Sequence, residues 1–269
     1  MSSVFRGASA DALAALSGEL RQVADGDLAQ VGDDLFRVAG ILRSEPGLRR
    51  VVTDVSVSPD AKKGLLRQIL AGKVADGALS VVSSAVARRW TVGRDLGDAL
   101  ERLSETAIVR SAGADSARLE DEIFSVAQVV KETPALRDAL SDPARATDDK
   151  VALVEDLLGG KALPSTVALV KQSLAGTYRT VAVALATYGR VAADVNGERV
   201  AKVTVAKPLA DGDRTRLSDV LSRQYDRSVH LNVVVDPSVI GGVRVEIGDD
   251  IIDGTVVGRL DSARRSLAG

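Results

Sequence analysis

The chain has 269 residues, with 35 Lys and Arg against 37 Asp and Glu, 45% hydrophobic residues, one His and no Cys. This composition is typical of a globular protein and excludes structural zinc sites, iron–sulfur clusters and disulfide frameworks, which need several Cys or His ligands. The near-neutral charge also argues against a general nucleic-acid binder, which usually carries an excess of basic residues on one face.

The first predicted helices lie in the N-terminal third of the chain. Apolar residues recur at helical spacing over residues 28–42, and Pro46 follows, at a place where a residue without an N–H group belongs. A second apolar run over residues 65–70 ends just before Gly72, which is typical of a helix C-terminus. A third helix is predicted over residues 79–87. The sequence therefore predicts a helical module at the start of the chain.

The same order of helices and breakers returns 88 residues further along the chain. Residues 35–86 align with residues 123–174 without a gap, and 14 of the 52 aligned residues are identical. The identities include residues in predicted loops, which two unrelated amphipathic helices would not share. These pairs are Pro46 and Pro134, Asp54 and Asp142, Asp60 and Asp148, and Gly72 and Gly160. We therefore predict a duplication, with an extra helical copy at residues 1–94 and a second helical domain at residues 95–197.

Two aromatic residues occupy equivalent positions in the two copies. Trp90 and Tyr178 both lie just beyond the third helix of the aligned segment, 88 residues apart. The whole chain has only 3% aromatic residues, so large side chains are scarce in its core. We interpret Trp90 and Tyr178 as filling the two cores, and a docking spot for a partner is the alternative.

The pattern changes from helical to strand-like spacing at about residue 198. Apolar residues alternate with polar ones around Val203 and again over residues 229–235, the period-two signature of a strand. A polar helix is predicted between these strands, over residues 213–225. This alternation of strands and a helix predicts a small α+β domain at residues 198–269.

A hairpin is predicted near the C-terminus. The apolar segments 243–247 and 251–252 flank Gly248-Asp249, and Gly and Asp at a bend between two strands favour a hairpin. A short helix rich in Arg is predicted over residues 256–267. The predicted fold class is therefore mainly α, with two tandem helical-bundle modules followed by a hairpin-containing α+β domain.

No arrangement of side chains in the sequence predicts a reaction site. His230 lies in a predicted strand with Asp236 nearby, but no Gly-x-Ser-x-Gly elbow accompanies it, so a hydrolase that uses His230 is a minor alternative. Gly160-Lys161 lacks the other residues of a phosphate-binding loop. We therefore predict no catalytic residue, no metal and no cofactor, and a protein that connects partners through its surfaces.

The sequence also lacks the features of a membrane-inserted chain. The first residues contain no basic segment followed by an apolar one, as a secretory signal would. No apolar run approaches the roughly 18 residues that a membrane-spanning helix needs. We therefore expect a cytoplasmic chain.

The segment from Val235 to Leu260 resembles the signature of the ATP synthase delta subunit, whose mitochondrial relative is the oligomycin-sensitivity-conferring protein. The signature residues that stand in place are Asp236, Pro237, Gly241, Gly242, Gly248, Asp253 and Gly254. Upstream, Pro134 and Lys150 fall in the pattern of the family's helical domain, so the resemblance covers about residues 95–269. Residues 1–94 are additional and resemble the extended form of certain bacteria.

The resemblance implies a noncatalytic subunit of the peripheral stalk, or stator, of F-type ATP synthase. The implied partners are the N-terminal segments of the alpha subunits at the catalytic head and a b-type stalk subunit, with no nucleic acid. The implied location is the cytoplasmic face of the cell membrane, which the subunit reaches only indirectly through the complex. A helical scaffold or adaptor unrelated to ATP synthase is the alternative.

The resemblance also implies contact residues. In the family, an alpha-subunit helix lies against the first and fifth helices of the helical domain, which correspond here to residues 96–109 and 167–174. The candidate contacts are Leu100, Leu103, Val167, Val170 and Leu174. A core position is the alternative for each of them. The glycines of the C-terminal signature are expected to be structural, at turns that only Gly fits.

Overall fold

Amphipathic helices make up the N-terminal unit of the chain. The computed structural model describes residues 5–248 and 250–256, and the chain divides into two compact units, residues 1–192 and 193–269. The helices of the first unit, the last of which runs past its end, are α1 (Ala8–Leu20), α2 (Leu28–Ser44), α3 (Pro46–Thr53), α4 (Pro59–Leu70), α5 (Asp76–Ala87), α6 (Asp95–Ser111), α7 (Ser116–Glu132), α8 (Pro134–Ser141), α9 (Thr147–Leu158), α10 (Pro164–Ser173) and α11 (Val181–Asn196).

Proline and glycine mark the helix boundaries, as the sequence predicts. Four helices, α3, α4, α8 and α10, have Pro as their first residue, where the missing N–H would have no partner within the helix. Beyond the ends of α4 and α9, Gly72 and Gly160 have φ angles of 71° and 69°. These angles are left-handed, which glycine adopts without steric cost. Local sequence therefore fixes where these helices begin and end.

Several elements of the first unit recur at a spacing of 88 residues. The helix α2 has 17 residues and begins 88 residues before α7, which also has 17. The same spacing relates α3 to α8, and α4 to α9, with 8 and 12 residues in each pair. Two short 3-10 turns, Asp25–Asp27 and Gly113–Asp115, recur in the same way. The short helices α3 and α8 were not distinguished by the sequence pattern.

The first unit contains two apolar clusters, and α6 contributes to both. Leu96, Leu100 and Leu103 of α6 pack in one cluster with residues of α1 to α5. Ile108 and Val109, near the end of the same helix, pack in the other cluster with residues of α7 to α11. The helix α6 is therefore a common wall of the two cores.

The two aromatic residues at equivalent positions both fill space beside these clusters. Trp90 is partly buried against the first cluster, and its indole N–H donates to the carbonyl oxygen of Ala85 at 2.9 Å. Tyr178 is partly buried against the second cluster, with its ring edge-on to that of Tyr188 at a centroid distance of 5.7 Å. Their role in the core is the interpretation favoured by the sequence.

The second unit contains a four-stranded sheet and one helix. Its elements are β1 (Arg199–Val205), α12 (Asp211–Tyr225), β2 (Val229–Val235), β3 (Val243–Ile247) and β4 (Asp250–Asp253). The strand order is β2-β1-β3-β4, with β1 parallel to β2 and antiparallel to β3. The strands β3 and β4 pair antiparallel as the predicted hairpin.

One face of this sheet packs against α12. Ala201, Val203 and Leu231 are buried there with Leu221 of α12, while the intervening Lys202 points to the opposite face. This is the alternation that the period-two pattern predicts. The Arg-rich helix predicted over residues 256–267 lies outside the described residues, apart from its first position.

Candidate functional site

The five candidate contact residues lie in or beside the two cores of the helical unit. Leu100 and Leu103 of α6 are buried in the first cluster, with 0% and 1% of their surfaces exposed. Val170 of α10 is buried in the second cluster, Val167 is 8% exposed, and Leu174 is partly buried against that cluster. The structure therefore divides these residues between the two cores and leaves little of their surfaces open.

The helix α2 covers one side of α6 at close range. The two helices run antiparallel, since Gly32 near the start of α2 lies beside Ile108, and Arg43 near its end lies beside Gly97. A side chain at Gly32 would come within 2.7 Å of Ile108, so only glycine allows this approach. The hydroxyl of Ser104 donates to the carbonyl oxygen of Gly32 at 2.7 Å. Small residues therefore create a tight interface between α2 and α6.

The same helix α2 also reaches α10 and the chain just beyond it. Arg43 donates to the carbonyl oxygen of Ala175 at 3.4 Å. Gln172 of α10 donates to the hydroxyl of Ser104 at 3.0 Å, and that hydroxyl is the donor to α2. The side of α6 that the family resemblance predicts as part of a docking face is thus covered by a helix of the same chain, whereas α10 borders a groove of about 910 Å³ that α2 also lines.

Two buried carboxylates on α6 form a polar cluster at this junction. Glu101 is 2% exposed, and it accepts a hydrogen bond from Arg43 of α2 at 2.5 Å and from the backbone N–H of Thr177 at 2.8 Å. Glu105, one turn further along α6, is fully buried and accepts from the hydroxyl of Tyr178 at 2.6 Å. Arg102 lies 3.2 Å from the other oxygen of Glu105. These contacts tie the connection between α10 and α11 to α6.

Burial dominates the electrostatics of this cluster. It raises the pKa of Glu105 to about 7, although the hydrogen bond from Tyr178 and the charge of Arg102 act in the opposite direction. Burial and the neighbouring Glu105 also raise the pKa values of Tyr178 and Tyr188, so both phenols remain protonated. The buried carboxyl group of Glu105 therefore keeps its proton up to near-neutral pH.

A second pair of acidic residues fixes the starts of two helices, α5 and α10. Asp34 of α2 is buried and accepts from the backbone N–H of Ala75 at 2.6 Å, just before α5. Glu122 of α7 accepts from the backbone N–H of Leu163 at 2.8 Å, just before α10, and from Thr166 at 2.6 Å. Each acid thus satisfies an N–H group that the helix itself leaves without a partner. Both bonds span 41 residues of chain.

Partial burial alone would raise the pKa of the Glu122 carboxyl. The hydrogen bonds from Thr166 and Leu163, with Arg118, outweigh that effect and hold the pKa of Glu122 below its usual value. The carboxylate form is therefore the one that stabilises this helix start.

The aspartates of the C-terminal signature form two turns around the hairpin. The carboxylate of Asp236 accepts from the backbone N–H of Ser238 at 2.9 Å and from its hydroxyl at 2.6 Å. Asp253 makes the same pair of bonds with Thr255, at 2.9 and 2.6 Å. These hydrogen bonds lower the pKa values of both aspartates. Pro237 follows Asp236 directly, where a turn favours its fixed φ angle.

The glycines of the signature allow the backbone conformation of these turns. Gly241, Gly242 and Gly248 have φ angles of 67°, 84° and 59°, which residues with a Cβ atom rarely adopt. At Gly242 a Cβ atom would collide with the carbonyl oxygen of Gly254 and lie 2.8 Å from the Cα of Thr255. The signature therefore has a structural explanation at each of these positions.

His230 lies near the start of β2, in register with Val200 of β1. Two serines, Ser218 and Ser222, line a polar recess with His230, and both are engaged by the backbone. The hydroxyl of Ser218 donates to the carbonyl oxygen of Val229 at 2.7 Å, and Ser222 accepts from the N–H of the same residue at 3.0 Å. These serines therefore serve to attach α12 to β2, and neither is placed as the nucleophile of the hydrolase alternative.

Comparison with known proteins decides the family. Residues 106–267 match the family model described as the ATP synthase delta (OSCP) subunit. The ATP synthase subunit delta of Nocardioides sp. is 54% identical to this chain over 99% of it and 98% of the relative. The chain belongs to the ATP synthase delta (OSCP) subunit family. The delta subunits of Kineococcus radiotolerans and Streptomyces griseus are 44% and 39% identical, over 90% and 97% of this chain and 89% and 99% of their own.

The similarity to the delta family includes the N-terminal helices in the alignment with whole relatives, but not in the match to the family model. The family model begins at residue 106, within α6, whereas the Nocardioides delta subunit aligns with nearly the whole chain. A chain of the Toxoplasma gondii mitochondrial ATP synthase hexamer matches with a TM-score of 0.36 and 19% identity, over 61% of this chain and 95% of that one.

No helix among the described residues of this delta-family chain is both long and apolar enough to cross a membrane. The hairpin signature was predictable from the sequence, whereas the buried cluster on α6 was not. Glu101 and Glu105 carry no sign of burial in the sequence, because acidic residues four apart are usually on a solvated helix face. The one available signal was that apolar residues surround them on both sides of the helix.

Proposed function

We propose that this chain is a noncatalytic stator subunit of F-type ATP synthase, which links the catalytic head to a b-type stalk. The observation that carries the proposal is its 54% identity, over nearly its full length, to a protein named ATP synthase subunit delta. Such a subunit transmits mechanical load and needs firm interfaces rather than a reaction site. A peripheral place at the cytoplasmic face of the membrane complex follows from this role.

The architecture of the two units suits this role. The helical unit has tightly packed cores in which α6 is common to both clusters, so a load on one cluster is passed to the other by a continuous helix. The C-terminal unit is a separate folded body with its own apolar core. We infer that the helical unit binds the N-terminal segments of the alpha subunits, and that residues 198–269 bind the b-type subunit.

We also infer that the helical unit arose by duplication, with an extra copy at residues 1–94 and the family's helical domain at residues 95–197. The recurrence of element bounds at a spacing of 88 residues supports this division. So do Asp34 and Glu122, 88 residues apart, which bind backbone N–H groups that are also 88 residues apart. Because α6 packs in both cores, the division is one of sequence copies and not of independently folded parts.

The position of α2 suggests which copy receives the alpha segment. In this chain α2 lies over α6, and Leu100 and Leu103 are in the core beneath it. A partner helix could reach these residues only after displacing α2. In the first copy, α1 and α5 correspond to α6 and α10. We therefore propose that α1 and α5 present the docking face, with the contacts predicted on α6 and α10 serving the junction of the two copies.

Reconstitution of the complex tests the stator role. We expect membranes depleted of this chain to keep ATP hydrolysis by the head but to lose proton pumping, since nothing holds the head against the rotor, and adding the chain should restore pumping. Failure of the purified chain to bind the head or the b-type stalk would favour the unrelated helical scaffold instead.

Two further experiments test the assignment of the ends and faces. Removal of residues 198–269, just beyond α11, should weaken binding of the b-type subunit and spare binding of the alpha subunits. Because the chain has no Cys, single cysteines can report contacts by cross-linking. Ala14→Cys on the exposed side of α1 should cross-link to the alpha segment, whereas Ala168→Cys on α10 should not. The opposite result would place docking on the second copy.

A further inference from the structure

The buried acidic pair on α6 is unusual because its two carboxylates are not equally compensated. Glu101 has an ion pair with Arg43 and accepts from the backbone N–H of Thr177. Glu105 has the hydroxyl of Tyr178 and one nitrogen of Arg102, whose side chain is 31% exposed. A second negative charge one helical turn from Glu101 is disfavoured in this apolar region.

The groups that face Glu105 come from every element packed around it. On α6 these are Glu101 and Arg102, and on the connection between α10 and α11 the facing group is Tyr178. The hydroxyl of Tyr188 on α11 is buried near both acids and has no hydrogen-bond partner in the part of the chain that the structure describes. From α2, Arg43 faces Glu101 and Tyr188. Among these groups, Arg102 is the cation that contacts Glu105, and an ionised Glu105 has no second cation in this set to compensate its charge.

The connection between α10 and α11 depends on these acids for its attachment to α6. Within residues 174–180, the backbone N–H of Thr177 is bound by Glu101 and the hydroxyl of Tyr178 by Glu105. Gly176 also lies so close to the Glu101 carboxylate that a side chain there would displace it. Ionisation of Glu105 therefore acts directly on the segment that closes this end of the helical unit.

We propose that Glu101, Glu105 and Tyr178 form a pH-sensitive clasp that holds residues 174–180 against α6 while Glu105 is protonated and loosens when Glu105 ionises. This inference adds regulation to the molecule and does not depend on the proposed stator function. In the closed state, residues 174–180 pack against α6, and Glu105 is buried in an apolar region with Glu101. In the open state this segment is detached, and water solvates the carboxylate of Glu105. The proposal rests on this buried geometry.

The sign of the effect follows from the two states of Glu105. Burial raises the pKa of Glu105 to about 7 in the closed state, whereas the hydrated side chain has the ordinary value of 4.5. The closed state is therefore fully stabilised below pH 4.5 and loses this stabilisation as the pH rises toward 7. The opening equilibrium constant should rise roughly tenfold for each pH unit in this window and level off above it.

Hydrogen exchange of the full chain, measured by mass spectrometry from pH 5 to pH 8 and corrected for intrinsic exchange rates, tests the clasp. Protection of residues 174–180 should fall by roughly tenfold per pH unit up to about pH 7 and then remain constant. Glu105→Gln cannot ionise and should make protection of this segment independent of pH. Glu132→Gln removes an exposed carboxylate at the end of α7 and should leave the slope unchanged.

An unchanged slope in Glu105→Gln, or no slope in the unsubstituted chain, would overturn the clasp. A second measurement avoids any dependence on folding of the variant. Carbon-13 NMR of the carboxyl groups in the unsubstituted chain should show Glu105 titrating near pH 7. A titration midpoint below pH 5 for this carboxyl would also overturn the proposal.

Discussion

Gly242 is the residue at which the C-terminal signature has its strictest requirement. Its φ angle of 84° and the nearby backbone of Gly254 and Thr255 leave no space for a Cβ atom. Gly248, in the bend of the hairpin, also has a positive φ angle of 59°, but no atom lies within 4 Å of the position that its Cβ would occupy. A Cβ atom at Gly248 would therefore cause backbone strain alone, whereas a Cβ atom at Gly242 would cause both backbone strain and a steric collision.

Substitution of these glycines with alanine should give different losses of stability. Gly248→Ala should lower the free energy of unfolding of the C-terminal unit by about 1 kcal/mol, the usual cost of a left-handed residue with a Cβ atom. Gly242→Ala should cost at least about 2–3 kcal/mol, because the backbone must also move. Urea denaturation, monitored by a spectroscopic probe in the C-terminal unit, measures the free energy of unfolding of each variant. Equal losses in the two variants would contradict the collision at Gly242.

At the scale of elements, the interface between α2 and α6 is the most informative. The two helices approach closely because glycines stand at the contact, with Gly32 beside Ile108 and Gly97 beside the carbonyl oxygen of Ala39. The ion pair between Arg43 and Glu101 closes one end of the interface. Close packing of this kind gains dispersion energy but tolerates no added volume.

Two alanine substitutions on α2 test this packing. A methyl group at Gly32 would lie 2.7 Å from Ile108 and 3.2 Å from the carbonyl oxygen of Ser104, so Gly32→Ala should lower the free energy of unfolding by about 1–2 kcal/mol. Gly40 lies in the same helix with no atom within 4 Å. Gly40→Ala should therefore stabilise the helix, by up to about 1 kcal/mol. Thermal denaturation shows whether each substitution raises or lowers the stability of the chain. Stabilisation by Gly32→Ala would contradict a tight interface between α2 and α6.

The order of the helices was largely predictable from the sequence. Which helices pack against one another was not. Apolar spacing predicted α2, α4, α5, α7 and α9 with errors of a few residues at their ends. The short helices α3 and α8 were missed because eight residues hold too few turns to show a period. The hairpin of β3 and β4 was predicted from its glycine and aspartate, because turn geometry is determined locally.

For the whole molecule, the sharing of α6 has a testable consequence. Leu96, Leu100 and Leu103 are buried against the N-terminal helices, so a chain that starts at residue 95 would expose all three. Each buried leucine contributes about 1.5–3 kcal/mol relative to an exposed one. We expect residues 95–269 alone to self-associate and to bind a hydrophobic dye, and residues 1–94, which lack α6, not to fold independently.

Size-exclusion chromatography and dye fluorescence check this expectation. A monomeric, dye-free 95–269 fragment would show that the two sequence copies fold independently. A fragment of residues 1–111, which keeps α6, is the matched control, and it should fold better than residues 1–94 because it restores the missing wall of the first cluster.

The sequence by itself determined the helical and α+β parts of this chain, the 88-residue self-similarity and the delta-family signature, whose Asp236, Gly242 and Asp253 act through local turns. Only the tertiary structure decided that α6 serves two cores, that α2 covers one side of α6, and that Glu101 and Glu105 are buried. The physical reason is that periodicity shows which side of a helix is apolar, but not which neighbour covers it. Burial of a charged side chain depends on partners such as Arg43 and Tyr178, which are distant in sequence and meet it only in the folded chain.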